Sequence, residues 1–229
     1  MYDLFYLKLV TRTFFQWVYF LHIGKAGGTI LKSIFSNNKI QKNKIKVIGV
    51  SEKFKIYQLH PDQKYIFSIR NPITRYFSAF HARKIKSDIW TKEYYSVEGF
   101  GFYLYNDANQ LAEDLYSKNL IKVFLSHISI RCIPIINENI YSWFNIEDLK
   151  KNLPQFIFEN STINEDWKFF STKFGFEQNE ILNHMHVRNK TFGIKSQLSE
   201  KAKENLKRYY KKDFEIYEYC LKIKNLKNF

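Results

Sequence analysis

The chain has 229 residues, 45% of them apolar and 18% aromatic, which is enough for a well-buried core and excludes a disordered polypeptide. Lysine and arginine number 36 against 22 acidic residues, and the net charge of +14 favours polyanions: nucleic acid, anionic glycans, membrane surfaces or a phosphorylated cofactor. Only Cys132 and Cys220 are present, which argues against a disulfide framework, and no metal-ligand spacing exists.

Asp3, Lys8 and Arg12 interrupt the apolar start, and no stretch reaches the roughly 20 apolar residues of a membrane helix. Residues 1–20 lack the charged-then-apolar order of a signal peptide, so the sequence reads as cytoplasmic, with peripheral membrane attachment left open. No low-complexity block, linker or repeat interrupts it, and residues 1–229 read as a single domain.

In chain order, the apolar run Trp17-Val18-Tyr19-Phe20-Leu21 predicts a strand over 17–23, and Ile30, Leu31, Ile34 and Phe35 predict a helix over 28–36. Between them stands His22-Ile23-Gly24-Lys25-Ala26-Gly27-Gly28-Thr29. Glycines in a strand-to-helix turn let backbone N–H groups approach an anion, and the helix start favours negative charge there. The NTPase loop puts lysine after its last glycine, whereas Lys25 precedes Gly27 and Gly28. A phosphate loop without a Mg²⁺-triphosphate site is implied, against the plainer reading of a tight turn with an incidental lysine.

A short strand follows over 45–50, then a polar stretch, then a buried strand over 65–69 that ends at Arg70-Asn71-Pro72. Asn71 and Pro72 suit a helix start, and Ile73, Tyr76, Phe77 and Phe80 form its core stripe. Asn71, Arg75 and Ser78 share the opposite side at 100° per residue. An arginine at a strand's carboxyl end with a nearby serine suits a phosphomonoester. Helices are predicted over 109–116 and 119–127, and a strand over 156–159. Thr162 and Glu165 form a capping box for a helix stopped by Gly175, and a last helix starts after Ser199. Strands alternating with helices predict an α/β protein with a mainly parallel, three-layer, P-loop-like core and a helical C-terminal half.

The stretch 22–29 resembles the H-I-P-K-T-G-G-T loop of sulfotransferases, which use PAPS (3′-phosphoadenosine 5′-phosphosulfate). Residues 69–80 are similar to their second signature, R-[DN]-P-x-x-R-[FY]-x-S-[AG]-[FY]. Asn109-Gln110-Leu111-Ala112 and the tail from His186-Val187-Arg188-Asn189 to Tyr217 resemble small bacterial members. The resemblance implies that Lys25, Ala26, Gly27, Gly28 and Thr29 hold the 5′-phosphosulfate, and that Arg70 and Ser78 hold the 3′-phosphate. Arg75 would support the helix. Gly24 and Ala26 depart from the family's proline and threonine without removing charge or N–H groups.

The implied reaction moves a sulfuryl group from PAPS to a hydroxyl of a carbohydrate or related acceptor, polyanionic or not, without a metal. Lys25 is the candidate for stabilising the leaving phosphate oxygen. Glu52 and His60 are the candidates for the base. His22 is expected to orient the loop, and His184 and His186 are structural or cleft residues. The rivals are a P-loop nucleotide kinase, which wants an Asp-bearing strand for Mg²⁺, and a basic nucleic-acid-binding protein, which wants a basic stripe with interleaved aromatics. Neither feature is evident, so no nucleic acid partner is expected.

Overall fold

The computed structural model describes residues 16–37, 45–50, 54–90, 97–176 and 198–226. Strands β1 (Gln16–Leu21), β2 (Ile45–Gly49), β3 (Lys64–Ile69) and β4 (Phe156–Glu159) form one parallel sheet in the order β2-β1-β3-β4. The order reverses between β1 and β3, and in open α/β sheets that is where ligands bind, beyond the strands' carboxyl ends. The remaining described elements are helical: α1 (Gly28–Asn37), α2 (Pro72–Trp90), α3 (Val97–Leu104), α4 (Ala108–Asp114), α5 (Leu120–Cys132), α6 (Ile146–Lys151), α7 (Ile163–Phe174), α8 (Glu200–Tyr209) and α9 (Lys211–Leu226). The expected α/β architecture with a helical C-terminal half is therefore what the chain adopts.

The chain sorts into two compact units. The first comprises Met1–Ile69, Trp143–Gly193 and Tyr219–Phe229 and contains the sheet. One sheet face presents Val18, Phe20, Ile66, Phe156 and Phe158 to α1 and α7, which answer with Leu31, Ile34, Phe35, Trp167 and Phe170. Phe170 is at the centre, with ring centroids 5.1 Å from both Phe156 and Phe158. Truncating such a side chain to alanine costs about 3–5 kcal/mol. The alternate residues Tyr65 and Phe67 point to the other face. Phe67 meets Phe144 at 5.0 Å, and the Tyr65 hydroxyl donates to the Asn152 carbonyl. Tyr65 and Phe67 are fully buried, so this face of the sheet is covered too.

The second unit comprises Arg70–Ser142 and Ile194–Glu218 and is helical. Its core gathers Tyr76, Ala79 and Phe80 of α2, Leu111 and Ala112 of α4, Ile130 of α5 and Ala202 and Leu206 of α8. The Tyr76 hydroxyl donates to the Ala108 carbonyl at 2.8 Å.

Three local expectations need correction. Thr162 does not cap α7: its hydroxyl donates to Asp166 Oδ2 at 3.2 Å and accepts from Lys224 Nζ at 2.9 Å, and a 3₁₀ turn, Asn160–Thr162, leads into the helix. The single last helix is two, divided at Tyr210, whose hydroxyl donates to the Ile136 carbonyl. Arg75 does not share Ser78's open side but is 3% exposed, with Nη1 donating to the Glu138 carbonyl at 2.8 Å. Gly175 does stop α7, in the left-handed conformation at φ 75°, and Ser199 does cap α8 by accepting from the Ala202 N–H at 3.1 Å.

Candidate functional site

The loop at the carboxyl end of β1 is built by steric necessity. His22 is buried and its ring lies roughly parallel to that of Phe20. A Cβ on Gly28 would come within 2.3 Å of the His22 ring, so only glycine fits there. Gly27 has φ 91°, and a Cβ on it would meet the Asn160 side-chain amide at 2.9 Å and Ile163 at 3.2 Å. Ala26 is fully buried, with its N–H donating to the Ile23 carbonyl at 3.3 Å.

Lys25 is half-buried in the same turn at φ 64°, a left-handed conformation costly for a residue with a side chain. Such strain concentrates at functional sites. Thr29 is exposed in the first turn of α1. The N–H groups of Gly28 and Thr29 have no acceptor within the helix, because they belong to its first turn. That turn holds no acidic residue to offset its partial positive charge. Backbone donors, a lysine and a helix start without acid in its first turn are the chemistry that attracts an anion.

Asn160 and Ile163, which wall this loop, were not singled out by the sequence. They sit where β4 turns into α7, and a buried cluster holds that junction. Lys224 of α9 lies 2.7 Å from Asp166 and 3.8 Å from Glu159, and Asp166 also accepts the Glu159 N–H at 2.6 Å. Burial pushes the Asp166 carboxyl up, against the pull of these donors. The signal in sequence was faint: a lysine in a C-terminal helix and an aspartate 58 residues before it.

Arg70 follows β3 directly and opens the second unit. Asn71 caps α2 by accepting from the Ile73 N–H at 3.0 Å, with Pro72 at the first helical position. Arg70 Nε donates to Thr74 Oγ1 at 3.1 Å, and partial burial lowers the guanidinium's pKa. Ser78 is half-buried one turn beyond Thr74, on the same side of the helix. So the second motif sets an arginine and a serine hydroxyl along one helix side.

The two base candidates fare differently. Glu52 lies outside the described residues, as do His184 and His186. His60 sits in the turn that enters β3, its side chain 70% exposed beside Asp62. In a parallel sheet that is the amino edge, roughly 20 Å along the strand from the edge carrying the loop. His81 is an α2 residue packed on Phe77 and Phe80, and burial lowers its pKa. His127 Nε2 lies 3.3 Å from the Leu115 carbonyl. Among the described residues, no cluster of His, Cys, Asp or Glu could hold a metal ion, and no helix is long and apolar enough to cross a membrane.

A parallel sheet with a glycine-lined strand-to-helix turn after β1 defines a P-loop-like α/β protein. The sulfotransferase family model matches residues 15–220, and the chain belongs to that family of transferases. Neither a curated protein nor a solved structure matches it.

Proposed function

We propose that the protein transfers the sulfuryl group of PAPS to a hydroxyl of a carbohydrate or related acceptor. The observation that carries this reading is the cradle at residues 25–29, where two glycines are sterically obligatory and the first turn of α1 is unopposed by acid. The cradle fits the 5′-phosphosulfate: it offers donors and positive charge, and the first turn of α1 carries no carboxylate. PAPS supplies the activated sulfuryl group. Family membership supports sulfuryl transfer over the nucleotide-kinase and nucleic-acid-binding alternatives. The match crosses both compact units, which supports reading residues 1–229 as one sulfotransferase-like domain.

In this reading the N–H groups of Gly28 and Thr29 orient phosphate oxygens, and the Thr29 hydroxyl adds a directional donor. Lys25 stabilises the charge that develops on the leaving oxygen, a role in which position matters more than affinity. Arg70 and Ser78 hold the 3′-phosphate by charge and by a hydrogen bond. His22 positions the loop through its contact with Gly28. Glu52, three residues beyond β2, remains the positional candidate for the base, and the place of His60 at the amino edge does not support that role. The net charge of +14 is compatible with an anionic glycan acceptor. The cytoplasmic reading, with peripheral membrane attachment left open, rests on the sequence.

The test is transfer of labelled sulfuryl groups from PAPS to a panel of neutral and anionic oligosaccharides. Label on a sugar hydroxyl, lost in Lys25→Ala, supports the assignment. Transfer to a phenol or sterol but to no sugar contradicts the acceptor class. No donor turnover with any acceptor contradicts the reaction.

A further inference from the structure

We propose that the helix pair α3–α5 is a docking face for an anionic lipid bilayer. The two helices run antiparallel: Gly101 of α3 packs where a Cβ would lie 2.9 Å from Cys132 and Ile133, and the Tyr105 hydroxyl just past α3 reaches the Lys122 carbonyl at 3.2 Å. The Ser129 hydroxyl ties the two helices by donating to the Gly101 carbonyl at 2.9 Å. The inward sides of the pair are buried through Phe102, Ser126 and Ile130.

The outward sides are apolar. Val97, Phe100 and Tyr103 recur every third residue on α3, and Leu120, Ile121 and Phe124 project from α5. Tyr103 and Leu120 are 82% and 81% exposed. Single exposed apolar residues are ordinary, but six concentrated on one helix pair mark an interaction surface.

Charge selects the partner. Residues 115–137 contain no Asp or Glu, residues 99–106 carry no charge, and Lys118, Lys122 and Arg131 flank the apolar side chains. Two described acids beside this surface are engaged: Glu98 pairs with Arg83, and buried Asp114 accepts from the Tyr105 hydroxyl and lies 3.6 Å from Lys122. A second copy would oppose like charge to like. Anionic headgroups complement it, and Leu, Ile, Phe and Tyr flanked by lysines are side chains that enter the headgroup–acyl boundary. The face uses no residue of the phosphate cradle, so this proposal stands or falls apart from the donor assignment.

Co-sedimentation of the full chain with lipid vesicles tests it. Vesicles of equal parts phosphatidylcholine and phosphatidylserine should bind at least about tenfold more protein than phosphatidylcholine alone, with binding weakened by salt. Ile121→Glu with Phe124→Glu should reduce binding at least about tenfold, and Lys118→Gln and Arg131→Gln by about fivefold each. Unchanged circular dichroism establishes that each variant folds. Phe100→Ser with Tyr103→Ser gives the same readout on α3 should the α5 variant fail to fold. Absence of binding to the mixed vesicles, or equal binding by wild type and folded variants, overturns the proposal. So does a dimer, dissolved by these substitutions, that ignores vesicles.

Discussion

The ring of His22 lies directly against Gly28, so close that any side chain at residue 28 would occupy the same space. Residue 22 ends the run into the loop and residue 28 starts α1, so the contact sets the loop's width. Gly28→Ala should lower stability by about 1–3 kcal/mol, the usual cost of overpacking, and weaken donor binding at least about tenfold. Adding His22→Ala should restore part of the stability, because the clash partner is gone. A double-mutant cycle by thermal melting measures this, and strictly additive losses would show that the two residues do not share the strain.

Lys25 separates chemistry from folding. Lys25→Ala should abolish transfer while preserving the fold, since a half-buried turn lysine contributes little packing. Lys25→Gly should also be inactive, yet melt no lower than Lys25→Ala, because glycine adopts φ 64° without penalty. Turnover near wild type in either variant would remove Lys25 from the mechanism.

The sheet and cradle were legible in sequence because their signals are local. Alternating or continuous apolar runs mark all four strands, and β4 spans the same residues, 156–159, that its apolar run predicts. Glycine spacing marked the loop. What escaped notice depends on distant partners. Thr162 matched a capping box, but Asp166 and Lys224 claim its hydroxyl, and Lys224 stands 62 residues away. The break at Tyr210 has no proline or glycine to announce it and coincides with a hydroxyl bound to Ile136. Helix α3 is only eight residues long, too short for periodicity to reveal.

The Lys224–Asp166 pair should behave as a buried ion pair does. Lys224→Met leaves the Asp166 carboxylate without its cation and should cost about 3–5 kcal/mol. Asp166→Asn in that background should recover part of the loss, as seen in urea unfolding. Because this junction walls the loop through Asn160 and Ile163, Lys224→Met should also weaken nucleotide binding. Full affinity in a folded variant would show that the wall does not depend on the pair.

Asp213 gives a pH dependence with a defined sign. Its carboxyl is buried in the second unit and accepts the Ile140 N–H at 2.9 Å; burial pushes it up from 3.8 to about 6, while the Arg75 charge pulls it down. Between those values the native state keeps a proton that the unfolded chain has lost. Stability therefore falls as pH rises through that window, by about 3 kcal/mol in full. Asp213→Asn lacks this loss, so its stability relative to wild type should climb over the same window. Parallel curves for the two proteins would place the carboxylate in a less costly environment.

The central claim is that the second motif reads a 3′-phosphate. Titration calorimetry of the native protein with 3′,5′-bisphosphoadenosine and with 5′-AMP tests it most directly. A charge-assisted contact is worth about 1.5–3 kcal/mol, so the bisphosphate should bind at least about tenfold more tightly. Arg70→Ala should erase most of that difference and Ser78→Ala a smaller part. Equal affinity for the two nucleotides in the native protein would contradict the assignment of Arg70 and Ser78, and with it the case for PAPS as donor.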